Sequence, residues 1–165
     1  MVMDTNFLVE QDLTDLLQIN RERVKEYNTG AYRCENLQLK MLLNRELDNS
    51  RDLIFGLKQL LVKRFDIPSD SETRGHLFKL WSDFKPLIAL SDPTSQLHSF
   101  QKSDLLTLQC YHLVIARPYM DVVAKHLLKF QYQNSLSLYN SLKLLREVYP
   151  NNPIITSVYS SRKSA

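Results

Sequence analysis

A stripe of apolar side chains over residues 39–61 constrains the fold more than any other feature of this sequence. Its members recur at spacings of four and three residues, as they do along one face of an α-helix. They are Leu39, Leu43, Leu47, Ser50, Ile54, Leu57 and Leu61. A stripe of this length is kept out of water only where the helix packs along its whole length, so it predicts a helix of a multi-helix bundle.

The composition favours one helical domain. The chain has 165 residues, of which 44% are hydrophobic and 24% charged, and this suits a single domain with a proper core. Its three glycines argue against a strand-and-turn architecture and against a phosphate-binding loop. The net charge of +3 is too small to indicate a polyanionic partner, so we expect no nucleic-acid binding. The only groupings of basic residues in the sequence are Lys58, Lys63 and Arg64, and Arg162 with Lys163 near its end; elsewhere acidic residues alternate with basic ones.

The sequence also favours a reduced, cytoplasmic protein without a membrane segment. Its opening residues carry neither a basic n-region nor an apolar h-region, and no apolar run approaches the roughly 18 residues that span a bilayer. Cys34 and Cys110 are far apart and form no Cys-x-x-Cys motif. We therefore expect two ordinary buried thiols rather than a disulfide.

Residues 9–33 are predicted to form a helix ahead of the one that contains the 39–61 stripe. The short connection between the two makes them antiparallel neighbours. The inner face of the first helix is predicted to carry Leu13, Leu17, Asn20, Val24, Tyr27 and Ala31. The charged residues predicted to lie off this face or on its flank are Glu22, Arg23, Lys25 and Glu26.

Three further helices are predicted from breaks and periodicity. The third covers residues 71–90 behind a capping box of Ser69 and Glu72, the fourth covers residues 100–130 with a kink at Pro118, and a shorter fifth begins at Asn134 or Ser135 and ends at Pro150. The inward positions predicted for the fourth helix are Leu105, Leu108, His112, Ile115, Tyr119, Val122 and His126.

Together these elements predict an all-α, antiparallel four-helix bundle plus a short C-terminal helix. Residues 1–150 make up this single domain, and residues 151–165 form a loosely ordered tail.

Three segments resemble a ferritin-like family of small, largely uncharacterised bacterial proteins, some of them linked to stress responses. Residues 13–27 resemble its first helix and residues 39–51 its second. Residues 73–85 resemble its third, with Thr73, Gly75 and Trp81 at the spacing that the family favours. The resemblance implies a ferritin-like bundle.

The fourth predicted helix departs from that family. The family has a Cys-Glu pair followed by Gly-Glu-Asp, whereas here Tyr111 follows Cys110 and residues 113–115 are Leu-Val-Ile. The only carboxylates of residues 100–130 are Asp104 and Asp121. The resemblance therefore implies the fold more than an activity.

A dinuclear metal site is the kind of functional site that ferritin-like bundles often contain. It needs about four carboxylates and two histidines, including two Glu-x-x-His motifs. Glu46-x-x-Asn49 places an amide where such a motif has an imidazole, and the sequence contains no Glu-x-x-His. We predict no metal, no cofactor and a solvated Glu46 beside Arg45 and Lys40. The open alternative is a non-standard site that uses Glu26, Glu46 or His112, and the remaining candidates are Glu22, Asp83 and His126.

Other catalytic arrangements are missing from the sequence. It has no Gly-x-Ser-x-Gly motif, and neither cysteine has an activating neighbour, so we predict that the protein is not an enzyme. His112 and His126 are predicted to be hydrogen-bonded core or interface residues. His76 and His98 carry no partner pattern.

Aromatic residues suggest where the bundle packs and where it associates. We interpret one set as core, with an apolar pocket or an association face as alternatives: Phe78, Trp81, Phe84, Tyr111 and Tyr119. A second set near the C-terminus indicates an interface: Tyr132, Tyr139, Tyr149 and Tyr159.

The resulting hypothesis is a non-enzymatic, stress-associated bundle that acts as a homo-oligomer. Two alternatives stay open: a metal-handling or oxidoreductase ferritin-like protein with atypical ligands, and a module that binds a small molecule or a partner.

Overall fold

The computed structural model describes residues 4–67, 72–89 and 92–148, and in these the chain contains helices and no strand. The five helices are α1 (Thr5–Arg33), α2 (Leu37–Phe65), α3 (His76–Phe84), α4 (Pro93–Ile115) and α5 (Val122–Val148). Within the described residues, no helix combines the length and the apolar character that crossing a membrane requires.

The first two helices form a hairpin, as their tight connection predicts. The side chain of Asp4 accepts a hydrogen bond from the Asn6 amide at the start of α1, and that of Asn36 accepts one from the Leu39 amide at the start of α2. These are N-caps of the usual kind. The helix α2 ends at Asp66, whose backbone lies in the left-handed region at φ 53° and ψ 38°.

Each of the four long helices packs mainly against two others: α1 packs against α2 and α4, and α5 also packs against α2 and α4. Contacts between α2 and α5 run antiparallel, since Asn49 meets Ser135 while Leu53 meets Gln131. The helices α1 and α4 are also antiparallel, since Asn20 contacts Tyr111 while Arg23 contacts Asp104. Consequently α1 and α5 point one way and α2 and α4 the other, so the end of α2 and the beginning of α4 lie at opposite ends of the bundle.

The apolar stripe that predicts α2 is buried, except that Ile54 is only half-buried. The core has two clusters. One contains the Val9–Ile19 side of α1, the C-terminal half of α2 and the part of α4 and α5 near their connection, and its members include Leu13, Leu57, Trp81, Tyr111 and Leu128. The other lies at the opposite end, and its members are Tyr27, Ala31, Cys34, Leu39, Leu43, Leu47, Leu97, Phe100 and Leu142.

The short helix α3 is fixed to α1 by one carboxylate. Asp15 Oδ1 accepts a hydrogen bond from the Gly75 amide at 2.6 Å, and Oδ2 accepts bonds from the amides of Leu77 and Phe78 at 3.1 and 3.3 Å. Gly75 itself provides no side-chain cap. A Cβ on Gly75 would lie 2.7 Å from Asp15 Oδ2, so the close approach of the carboxylate requires a glycine here.

Several predicted boundaries are wrong. The third helix covers 76–84 rather than 71–90, because Gly75 and Pro86 stop it on either side; Glu72 is not helical, and Ser69 lies outside the described residues. The expected helix over 100–130 is two helices, and α4 already begins at Pro93 behind the cap Asp92. There is a turn at residues 116–121 instead of a kink at Pro118.

The last helix is also longer than predicted. It begins at Val122, where Asp121 accepts a hydrogen bond from the Ala124 amide, and it continues through Asn134 and Ser135. The bundle therefore has four long helices and one short one, as counted from the sequence, but the short one is α3 rather than a C-terminal helix. The predicted end at Pro150 and the tail over 151–165 lie outside the described residues.

The inward face of α4 differs from the predicted one. Leu105 and His112 are exposed, as are Val122 and His126 on α5, whereas Asp104, Thr107, Tyr111 and Val114 are buried. The predicted stripe crosses the turn, so its periodicity mixes two helices with different orientations. The predicted core residue Phe84 is also 70% exposed, at the end of α3.

Candidate functional site

A buried arginine occupies the middle of the bundle. Arg23 Nη2 lies 2.8 Å from Asp104 Oδ1 and 3.4 Å from Glu46 Oε2, and it also donates a hydrogen bond to the Tyr27 hydroxyl at 2.5 Å. The Tyr27 hydroxyl in turn donates to Asp104 Oδ1. All four side chains are at most 2% exposed. One guanidinium from α1 is thus held between a carboxylate of α2 and a carboxylate of α4.

Hydrogen bonds extend this cluster to the fourth long helix. Arg23 Nη1 donates to Asn20 Oδ1 at 3.4 Å, and Asn20 Nδ2 donates to the Tyr111 hydroxyl at 2.9 Å. The Tyr111 hydroxyl donates to Gln131 Oε1 at 2.7 Å, and Gln131 Nε2 donates to the backbone carbonyl of Leu53 at 3.2 Å. We call this set the polar layer: Asn20, Arg23, Tyr27, Glu46, Asp104, Tyr111 and Gln131.

Helical spacing puts these residues on the inner faces. Arg23 follows Asn20 by three positions and precedes Tyr27 by four, so the three side chains share one face of α1. Glu46 lies four positions before Ser50 on the buried face of α2. The charged part of the polar layer therefore sits in the bundle interior, where its charges have little access to water.

Two carboxylates face one guanidinium, so the cluster would carry one excess negative charge if both acids were ionised. Burial raises the pKa of Glu46 well above its ordinary value of 4.5 and the adjacent Asp104 adds to this rise, while Arg23 and the Tyr27 hydroxyl oppose it. Burial disfavours the charge on Arg23, yet Tyr27, Asp104 and Glu46 together raise its pKa. The neighbours of Arg23 thus stabilise its charge, whereas burial and Asp104 favour the protonated form of Glu46.

Two carboxylate oxygens of this cluster accept no hydrogen bond from a described residue. They are Glu46 Oε1 and Asp104 Oδ2, and both are buried. A proton on Glu46 directed at Asp104 would join the two carboxylates and leave the cluster electrically neutral. Burial raises the pKa of the Tyr27 and Tyr111 hydroxyls as well, so both remain neutral donors.

The sequence prediction for Glu46 and Arg23 was wrong. Glu46 is not a solvated residue beside Lys40 and Arg45, and Arg23 does not lie on the flank of α1, since each is 1% exposed. Both residues lie three or four positions from members of the apolar stripes, and this spacing indicates that they face inward. The prediction instead followed the rule that charged side chains face water, and this rule fails where another helix supplies a partner of opposite charge.

The other predicted candidates are not brought together with the polar layer. Glu26 pairs with Lys85 at 2.6 Å and Glu22 with Lys25 at 3.1 Å, near the surface. Asn49 donates to the Ser135 hydroxyl and links α2 to α5. The exposed candidates are His76, Asp83, His112 and His126. Of the two alternatives predicted for His112 and His126, a core or an interface position, the core position is therefore wrong.

The residues of the polar layer do not fit the dinuclear metal site that a ferritin-like fold suggests. They supply two carboxylates and no imidazole, and a guanidinium already lies between the carboxylates. Among the described residues, no group of three or more His, Cys, Asp or Glu side chains could hold a metal ion. Hard cations bind where several oxygen ligands carry uncompensated negative charge, and here the Arg23 guanidinium already pairs with both carboxylates.

The two cysteines are free and buried, as expected for structural thiols. Burial raises the pKa of the Cys110 thiol to about 11 and that of Cys34 also above its usual value. A nucleophilic cysteine requires a lowered pKa, so neither thiol has the chemistry of a catalytic one.

An open groove runs along the outer side of α4 and α5. Its volume is about 570 Å³, and it is lined by Leu105, Leu108, Gln109, His112, Leu113, Tyr132, Leu136 and Tyr139. We call it the α4–α5 groove. No Asp, Glu, Lys or Arg of the described chain lines it. It includes two of the tyrosines that the sequence assigned to an interface, while Tyr149 and Tyr159 lie outside the described residues.

Comparisons of the chain with protein-family models, with curated proteins and with solved structures found no match. The proposals below therefore depend on the sequence and on the geometry of this chain.

Proposed function

We propose that the protein is a non-enzymatic, ferritin-like bundle that acts by self-association, in the stress-related role that its sequence resemblance implies. The single observation that carries this proposal is the α4–α5 groove, an apolar, tyrosine-containing surface without charged lining. Leu105 and Leu113 are both exposed there, although neither is needed for the core.

The ferritin-like part of the proposal is supported by chain direction. Two helices point one way and two the other, with one long crossover between α2 and α4, and ferritin-like bundles have one such connection. The polar layer lies between two apolar clusters in the bundle core, and metal-binding bundles also build their sites in the core. In this chain Arg23 supplies the positive charge there.

Self-association is supported by the chemistry of the groove. A two-fold interface brings the same patch of both copies together, so a patch with charges of one sign would repel itself. The α4–α5 groove has none of these charges, and it presents Tyr132 and Tyr139, a residue type enriched in interfaces. A homo-oligomer is therefore the occupant that this surface fits best.

Sedimentation velocity up to millimolar chain concentration tests the proposal. We expect a dimer or larger oligomer that Leu113→Glu converts to monomer, because the new carboxylates of the two copies would be buried against each other. Leu87→Glu is the matched control: Leu87 is 93% exposed in the segment after α3, so this variant should associate like the parent. A parent protein that stays monomeric would refute the proposal.

A metal-handling role is the alternative that elemental analysis can decide. Protein purified without chelator should contain no stoichiometric iron or manganese, since the Arg23 guanidinium already pairs with the carboxylates that would bind it. A stoichiometric metal signal that Glu46→Ala abolishes would replace the proposal with a metal-binding one.

A further inference from the structure

A second exposed apolar surface lies on the opposite side of α5, against α2. Phe55 and Val62 of α2 and Val123 and Phe130 of α5 are all exposed, and Phe55 and Phe130 are more than 60% so. Two adjoining hollows of about 490 and 480 Å³ share Gln59 and Lys63 of α2. We call this surface the α2–α5 groove.

The core does not need these four side chains. Leu57 and Leu61 form the buried face of α2, and Phe55 and Val62 point away from it. The helices approach closely at the base of the groove, since a Cβ on Gly56 would lie 3.0 Å from Gln131 Nε2. Single exposed apolar residues are ordinary, but four around one groove indicate a surface that binds something.

The groove has a basic edge. Lys58, Lys63 and His126 line the hollows, and no Asp or Glu of the described chain does. Within the described ranges, neither lysine forms an ion pair. An approaching carboxylate would thus meet two unpaired ammonium groups beside an apolar floor.

The positive charges of Lys58 and Lys63 favour some binding partners of this groove over others. A second copy docked across a two-fold axis would bring the lysines of both copies together and be repelled. An anionic membrane is recognised by clusters of about four to eight Lys or Arg residues, more than this concave surface offers. An amphipathic helix can place apolar side chains against the apolar lining of the groove and acidic side chains next to Lys58 and Lys63.

We infer that the α2–α5 groove binds an acidic amphipathic helix of a partner protein. Phe55 and Val62 are seven residues apart, which is about 10 Å along α2. A partner helix of two to three turns, with anchors at positions i, i+3 or i+4, and i+7, covers that length.

Fluorescence anisotropy with designed peptides tests this inference on the full chain. The probe is a labelled helical peptide with Leu and Phe anchors at that spacing and Glu on the flanks; its partner peptide has Lys in place of every Glu. We expect the acidic peptide to bind at least about tenfold more tightly than the basic one, and Lys63→Glu to reduce or reverse this preference.

Variants separate this groove from the α4–α5 groove. Phe130→Ser removes an exposed anchor and should weaken the acidic peptide by about tenfold or more, whereas Leu113→Glu should leave its affinity unchanged. Circular dichroism checks that each variant is folded. The result therefore stands apart from that of the self-association test.

Three outcomes would overturn the inference. The first is equal or absent binding of the two peptides. The second is recruitment to phosphatidylserine vesicles that is lost in Lys63→Glu, which would assign the surface to a membrane. The third is a change in the sedimentation of the unliganded chain on Phe130→Ser, which would assign it to a second copy.

Discussion

Replacing Glu46 by glutamine should make the protein more stable at neutral pH, although it removes half of an ion pair. Glu46 is 1% exposed beside Asp104, and Arg23 is the one described residue that forms an ion pair with either carboxylate. The amide of the glutamine matches a protonated carboxyl: its oxygen can accept from Arg23 and its N–H can donate to Asp104. The variant thus fixes the neutral state that burial already favours.

The sign and size of the effect follow from proton linkage. Below pH 4.5, the ordinary pKa of this side chain, Glu46 is protonated in both the folded and the unfolded chain. As the pH rises, the unfolded chain loses this proton first and the folded chain keeps it, so the stability contributed by Glu46 falls by about 1.4 kcal/mol per pH unit. The fall ends at the folded-state pKa.

Glu46→Gln removes this loss. Its advantage over the parent should be near zero at about pH 4.5 and grow with pH, and the slope sets an upper limit of about 3 kcal/mol on it at pH 7. The difference between variant and parent isolates this residue, because the other titrating groups are common to both.

Urea unfolding followed by far-UV circular dichroism, at several pH values from about 5 to 8, measures the effect. Glu147→Gln is the matched control, since Glu147 is exposed on α5 and should show no pH-dependent gain. If the free energies of unfolding of Glu46→Gln and the parent run parallel over this range, Glu46 is ionised in the folded protein and the reasoning is refuted. A variant that is less stable than the parent by the same amount at every pH would refute it equally.

Three further predictions concern packing, capping and thiol chemistry. Gly30→Ala should cost about 2 kcal/mol, because its Cβ would lie 2.4 Å from Phe100 Cζ, and adding Phe100→Leu should recover part of that loss in the same urea assay. Asp15→Ala should cost about 2 kcal/mol by uncapping α3, and fluorescence of Trp81, the chain's single tryptophan, should then change at lower urea than circular dichroism does. Coincident transitions would contradict this. Cys110 should react with a disulfide reagent at pH 8 only on unfolding, because it is buried and its pKa is about 11, and rapid labelling of the native chain, mapped by mass spectrometry, would disprove it.

The sequence predicts the first half of the fold well, because α1 and α2 each carry a buried stripe from end to end and are separated by a short break. The prediction for α4 and α5 is wrong where one helix ends and the next begins. The stripe from Leu105 to His126 keeps its spacing by coincidence across the turn at 116–121, so it predicts a single kinked helix where there are two. Asp121 could have indicated the start of a new helix, because aspartate is a favoured N-cap residue and Asp121 caps α5.

The polar layer could be predicted only in part. The inward positions of Asn20 and Tyr27 follow from spacing within α1, and Asp104 stands out as one of the two carboxylates of residues 100–130. The pairing of Arg23 with Asp104 joins residues 81 positions apart in the sequence, and no local pattern encodes such a contact. The role of Asp15 is hidden for the same reason, because the helix it caps belongs to a different part of the chain.

The polar layer also limits the order in which this sequence can change over time. Replacing Arg23 first would leave Glu46 and Asp104 buried without their counter-cation, and such a chain would be strongly destabilised. Replacing Glu46 first by a neutral residue leaves the ion pair of Arg23 and Asp104, and these two can then be replaced together by uncharged residues. We expect related chains to differ at these three positions as a set, with the residue at 46 changing first.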